Sequence, residues 1–157
     1  MGRMYAIPFA AAASGSAIDF FEITAADDKP VRLHEVRIGQ STEAGDAQDE
    51  MIGIFIKRFS GGFTSGSGGT ASATVSPLDS DDATVAVASE TCNTTQCSGG
   101  TSVTLVSDAF NVRAGWQYLP TPECRIRFKQ GEALVIGMAG APADSITWYG
   151  TAIVEEV

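Results

Sequence analysis

Phe110-Asn111-Val112-Arg113-Ala114-Gly115-Trp116-Gln117-Tyr118-Leu119 holds the clearest alternation of apolar and polar residues in this chain. Phe110, Val112, Ala114, Trp116 and Tyr118 fall on one side of an extended backbone, and Asn111, Arg113, Gly115 and Gln117 on the other, the pattern of a half-buried β-strand. Cys124-Arg125-Ile126-Arg127-Phe128 repeats it with both arginines outward. Residues 132–139 read as a more fully buried strand, with Leu134, Ile136 and Met138 on one side and Val135 opposite, and residues 145–155 set Ile146, Trp148, Ala152 and Val154 in register. Tyr5, Ile7 and Phe9, then residues 17–24, 31–39 and 51–59, follow the same rule in the first half. Between 31 and 38 the parity changes: Val31 and Leu33 share one side, Val36 and Ile38 the other. A bulge near His34 and Glu35 accounts for that. No window carries a helical stripe of adequate length.

Turn-forming residues separate these runs at 26–30, 129–131 and 140–144. Eight or nine short strands with no helices between them predict an all-β fold, an antiparallel β-sandwich of jelly-roll type, with residues 1–157 as a single domain. Residues 1–16 are an N-terminal arm or an ordinary first strand. Two connections are long: 40–50 is acidic, and 60–101 is a polar excursion with room for one short strand at 84–88. Glycine, serine and threonine fill 13 of the 17 positions from 60 to 76, a composition that behaves as flexible coil unless something holds it. A loop of this length is expected to be functional or disordered, and it is long enough to lie on a neighbouring subunit or partner.

The 157 residues include 19 acidic and 10 basic side chains, a formal net charge of −9. Glycine, serine and threonine number 17, 14 and 14, while charged residues are only 18%, which excludes a coiled coil or helical bundle; a hydrophobic fraction of 44% argues against wholesale disorder. Nucleic acid is excluded as a partner because its recognition draws on Lys and Arg against phosphate. Membrane insertion is not expected, since no run reaches the roughly 20 apolar residues a spanning helix needs, and the opening residues do not read as a signal peptide. From 60 to 112 there is no Lys or Arg but five acids, Asp79, Asp81, Asp82, Glu90 and Asp108, so this tract is where partner-specific behaviour is expected. Cys92 and Cys97 enclose four residues and either close a small disulfide or stay reduced; a third cysteine leaves at least one unpaired.

The inventory for catalysis is thin, and no enzyme activity is expected. His34 is the one histidine, so a multi-imidazole metal site cannot form within one chain, and no nucleophile elbow accompanies it. It reads as a surface or subunit-contact residue. Glu22, Glu35, Glu123 and Glu132 are the carboxylates from which a glycosidase pair would have to come. Trp116 and Trp148 are in phase with the apolar faces and read as core instead of sugar platforms. Asp79, Asp81 and Asp82 are weak calcium candidates, but the full alternating ligand set is absent, and a solvated turn is the default. No metal and no cofactor is expected.

Several stretches together resemble small virion proteins of tailed bacteriophages: Ile38-Gly39-Gln40-Ser41, the acidic Glu43-Ala44-Gly45-Asp46-Ala47-Gln48-Asp49-Glu50 leading into Met51-Ile52-Gly53-Ile54, the stretch from Phe110 through Leu119 to Pro120-Thr121-Pro122-Glu123, and the terminal Trp148-Tyr149-Gly150-Thr151-Ala152-Ile153-Val154-Glu155-Glu156. The likeness covers about residues 4 to 157. It implies a structural virion protein of the capsid decoration (cement) type, a homo-oligomer, favoured as a trimer, that is made in the host cytoplasm and binds the major capsid protein on the outside of the head. Asp46, Asp49 and Glu50, with the outward Arg125 and Arg127, are the candidate contacts at subunit boundaries, where opposite charges set register. The alternative is a carbohydrate- or receptor-binding sandwich of a phage tail or fibre.

Overall fold

The computed structural model describes residues 2–26, 28–45 and 49–157. Eleven strands form among them: β1 (Arg3–Ser14), β2 (Asp19–Thr24), β3 (Val31–Gln40), β4 (Met51–Ser60), β5 (Ser76–Pro77), β6 (Ala88–Asn93), β7 (Thr101–Asn111), β8 (Trp116–Tyr118), β9 (Arg127–Phe128), β10 (Ala133–Met138) and β11 (Ile146–Glu156). One sheet has the order β5-β1-β11-β3-β8, with β9 also on β3, and the other the order β6-β2-β10-β4-β7; every pairing is antiparallel. With β5, β9 and the outermost strand β6 set aside, the remaining eight taken in chain order give 1-8-3-6 in one layer and 2-7-4-5 in the other. That is the strand order of a jelly roll, the architecture expected from the sequence.

The two inner faces make one core. Tyr5, Ile7, Leu33, Val36, Ile38, Ala152 and Val154 come from the first sheet, and Phe21, Ile23, Ile52, Ile54, Ile56, Leu134, Ile136 and Met138 from the second. Trp148 stands between the layers, its ring edge-on to Phe20 at 5.2 Å and to Phe110 at 6.4 Å. The parity change in β3 is a bulge: Glu35 pairs with Ile153 and Leu33 with Val154, leaving His34 without an opposite residue. The N-terminal segment forms an ordinary strand, with β1 paired to β11 from Arg3 to Ser14.

Three expectations are corrected. The stretch from Phe110 to Leu119 is not one strand. β7 ends at Asn111 in the second sheet, a turn follows in which the Asn111 carbonyl accepts the Ala114 amide and its side chain the Arg113 amide, and β8 starts at Trp116 in the first sheet. Gly115, with a φ of +72°, makes that corner passable. Alternation survives because both halves face the same core. Residues 124–128 are likewise not a continuous strand: Cys124 ends the 3₁₀ turn Pro122–Cys124 and only Arg127–Phe128 pairs.

The third correction concerns the polar excursion, which lies on its own chain. Thr64 pairs with Ser98, Ser67 with Thr95 and Thr70 with Thr91, each through two reciprocal backbone hydrogen bonds of 2.7–3.1 Å, and the Ala73 amide then reaches the Ser89 carbonyl at 2.8 Å. Contacts recur every three residues instead of every two, so this strap is not a regular strand. It contributes Phe63 and Cys97 to a second apolar cluster with Phe55, Phe59, Ala133 and Val135, residues that alternate with core positions on β4 and β10 and so belong to the face turned away from the first sheet. The remainder of the excursion holds β6 at 88–93, beyond the expected 84–88, and leads into β7 at Thr101.

Close approach of the two polar backbones explains the glycine content. A Cβ at Gly66 would stand 2.6 Å from the Thr95 carbonyl oxygen and 2.7 Å from Asn93 Nδ2, and one at Gly69 would collide with the Thr91 carbonyl. Gly39 has nothing within 4 Å of the same position. Gly66→Ala is therefore expected to lower unfolding free energy by about 2 kcal/mol, the scale of overpacking, while Gly39→Ala stays within about 1 kcal/mol of the parent in urea titrations.

Candidate functional site

The strap covers a group of hydrogen-bonded polar side chains on β2 and β6. β2 and β6 set Glu22 directly opposite Glu90, and Asp19 opposite Asn93. Asp19, Glu22 and Asn93 are 1–2% exposed. Like charges facing each other across strands repel, and a carboxylate out of water needs donors. The Ser65 hydroxyl lies 2.6 Å from Glu22 Oε1 and 3.1 Å from Glu90 Oε1; the Gly66 amide donates to Glu22 Oε2 at 2.9 Å and Asn93 Nδ2 to Glu90 Oε2 at 2.8 Å. Asp19 Oδ2 accepts the Cys97 amide at 2.7 Å and Oδ1 the Gln96 side-chain amide at 3.1 Å. Burial pushes the Asp19 carboxyl up to about 6, against the lowering effect of those two donors. The pair of opposed glutamates is the one juxtaposition of carboxylates that sequence reasoning missed in part: Glu22 was a candidate, but Glu90 becomes its neighbour only through the β2–β6 register.

The other candidate carboxylates are spread apart. Glu35 bonds Arg37 and Gln117, Glu132 caps the Lys129 amide and approaches Arg58, and Glu123 lies exposed in the 3₁₀ turn. His34 Nε2 lies 2.7 Å from Glu155 Oε2, within the same chain, and Arg32 reaches that oxygen at 3.2 Å. Burial raises the Glu155 carboxyl, but the His34 hydrogen bond and charge, with Arg32, outweigh it and leave the group below its ordinary range. Asp79, Asp81 and Asp82 form a turn in which Asp79 Oδ1 accepts the Asp81 amide and Asp82 faces Arg3 at 3.6 Å; no group of three metal-ligating side chains occurs among the described residues.

Of the proposed boundary contacts, Asp46 lies outside the described residues. Asp49 pairs with Arg113 at 3.2 Å, and Glu50 accepts the Ala143 amide at 2.5 Å while its carbonyl takes the Val112 amide, so both acids brace the corner between β7 and β8. Arg125 is not an outward strand residue: it follows the 3₁₀ turn, half-buried, with Nε out of water and unpartnered. Arg127 is exposed, on a shallow groove of about 290 Å³ shared with Arg58, Lys129 and Glu132. Two further grooves, of about 400 and 440 Å³, meet at Arg37, Ile38 and Gly39 on the outer face of the first sheet. Trp148 is fully buried and Trp116 is 8% exposed, its Nε1 donating to Asp108 at 3.0 Å; that bond and the Ala109 amide hold the Asp108 carboxyl below its ordinary range.

The sheet edges differ sharply. In the first sheet, β5 is two residues long and contains Pro77, and β8 and β9 are three and two residues long. In the second, β6 is flanked by the strap through Thr70 and Ala73. β7 is different: it is eleven residues long, eight of them exposed, and among the described residues no strand lies beyond it. Long uncovered edges of this kind present unpaired backbone donors and acceptors to other chains. No family model, characterised protein or solved structure matches this chain.

Two expectations follow. A raised carboxyl contributes stability that is complete below its unfolded value and is lost as pH rises through the folded one, so the wild type should gain on Asp19→Asn as pH falls from 7 to 4. The gain over that interval is about 2 kcal/mol for a shift of this size, read from urea unfolding at each pH. Cys92, Cys97 and Cys124 carry free thiols, and burial pushes the first two up to about 12, with nearby Glu22 and Asp19 adding to the effect on Cys97, whereas Cys124 is exposed. A thiol reagent should titrate one cysteine in the native protein and three after unfolding.

Proposed function

We propose that this chain is a structural virion protein, a capsid decoration component that binds the outer surface of a tailed-phage head and stabilises it. The observation that carries the reading is the jelly-roll strand order, an architecture used for viral capsid and lectin domains. The resemblance of the sequence to phage virion proteins supplies the setting. Further support comes from the polar side chains: Glu22, Glu35, Glu132 and His34 are each engaged in contacts that hold this chain's own elements together. A lectin-like tail module would instead need aromatic faces in water, and both indoles are in the core.

The partner is the major capsid protein, and the contact is one of surface against surface, with no chemistry required. Purified protein is expected to co-sediment with expanded heads of the phage that encodes it, to raise their thermal stability, and to appear in mass spectra of intact virions. Absence from virions, or failure to bind expanded heads, would falsify the assignment.

A further inference from the structure

We propose that the free edge of β7 pairs antiparallel with the same edge of a second copy of this chain, joining two five-stranded sheets about a two-fold axis. The inference goes beyond the role proposed above and needs none of it.

β7 lacks the basic residues and the proline that keep many edges apart, and its one acid, Asp108, lies towards its end. It contains no Lys, Arg or Pro, and Val103 and Leu105 are 45% and 37% exposed. A register shift opposite Ile56 and Lys57 leaves Leu105 without a partner in β4. The outward stretch ends at Asp108, whose own carboxylate takes the Ala109 amide; from Thr101 to Ser107 the backbone makes no hydrogen bond beyond the β4 pairing among the described residues.

That seven-residue stretch, Thr101-Ser102-Val103-Thr104-Leu105-Val106-Ser107, is self-complementary when laid antiparallel on itself. Centred on Thr104, it sets Thr104 against Thr104, Val103 against Leu105 and Ser102 against Val106 on both sides of the axis, and Thr101 against Ser107 at the ends. Hydroxyls meet hydroxyls at the centre and the ends and Val103 meets Leu105, combinations that stabilise cross-strand pairs, while Ser102 opposite Val106 is a mixed pair. The occupant is a second copy for two reasons. The chain's other edges are two or three residues long or already flanked, so no head-to-tail pairing has a matching edge to use. The stretch itself carries no charge, so two copies meet there without like-charge contact although each bears −9 overall.

Sedimentation equilibrium of the purified full chain, without heads, reads this association separately from capsid binding. The expected result is a monomer–dimer equilibrium that tightens as salt rises from about 0.05 to about 0.5 M, because screening weakens the long-range repulsion of the two acidic bodies. Leu105→Lys sets two ammonium groups beside the axis and should weaken dimerisation at least about tenfold while circular dichroism stays that of the parent. Thr104→Cys in a Cys124→Ser background should cross-link to itself under mild oxidation, since directly opposed Cα atoms lie within disulfide reach; Ser80→Cys, on an exposed turn, should not. A protein that stays monomeric into the high-micromolar range, or an oligomer that keeps its mass in Leu105→Lys and fails to cross-link through Thr104→Cys, overturns the proposal.

Discussion

Asp19 and Glu22 point away from the main core on the second sheet, yet almost no water reaches them. A carboxylate so placed costs several kcal/mol unless donors replace the lost hydration. The donors come from one source, the strap: Gly66 and Ser65 for Glu22, Gln96 and Cys97 for Asp19. Much else depends on this exchange. The strap must be polar to offer amides and hydroxyls, and glycine-rich to bring its backbone against that of residues 91–95. Once it is in place it also keeps Phe55, Phe59 and Val135 dry, so β2 and β10 of the second sheet are covered on both faces. A composition that reads as flexible coil is thereby the composition of a layer.

The strands that cross the middle of the first sheet are legible because each has one face in the core and therefore alternates, whereas β10, buried throughout, shows instead as a continuous apolar run. β3 was legible down to its bulge, since inserting His34 shifts every following side chain to the other face. The failures have a common origin: alternation reports which face meets the core and nothing about which sheet carries it. From Phe110 through Val112 to Trp116 the buried positions stay in step while the chain leaves one layer and enters the other. β7 was hidden for the opposite reason. As an edge strand with most of its side chains in water, it has little alternation to show, and its Thr and Ser content matches a loop. Arg125 reads as outward if a strand starts at Cys124, but Cys124 closes the 3₁₀ turn Pro122–Cys124 and Arg125 follows it outside any strand.

At the level of sites, sequence reasoning identified residue types but not neighbours. Glu22 was visible as a strand carboxylate; that Glu90 faces it, 68 positions away, depends on a register no local pattern encodes. Asp49 and Glu50 were marked as contacts and do make contacts, but with Arg113 and Ala143 of the same chain, bracing the corner that the alternation concealed.

The charge of −9 also takes on a different meaning once its members are located. In the tract without Lys or Arg, Asp82 faces Arg3, Glu90 is bound by Asn93 and Ser65, and Asp108 accepts the Trp116 indole, tying the free edge of one sheet to the short edge strand of the other. These acids are fixed in local bonds and do not form a continuous acidic face. What the tract leaves uncommitted is backbone: the outer side of β7 from Thr101 to Ser107, neutral in side-chain charge and unpaired in hydrogen bonding. Complementarity at that edge is therefore a matter of strand register and apolar fit, with the overall charge acting only at longer range, where salt screens it.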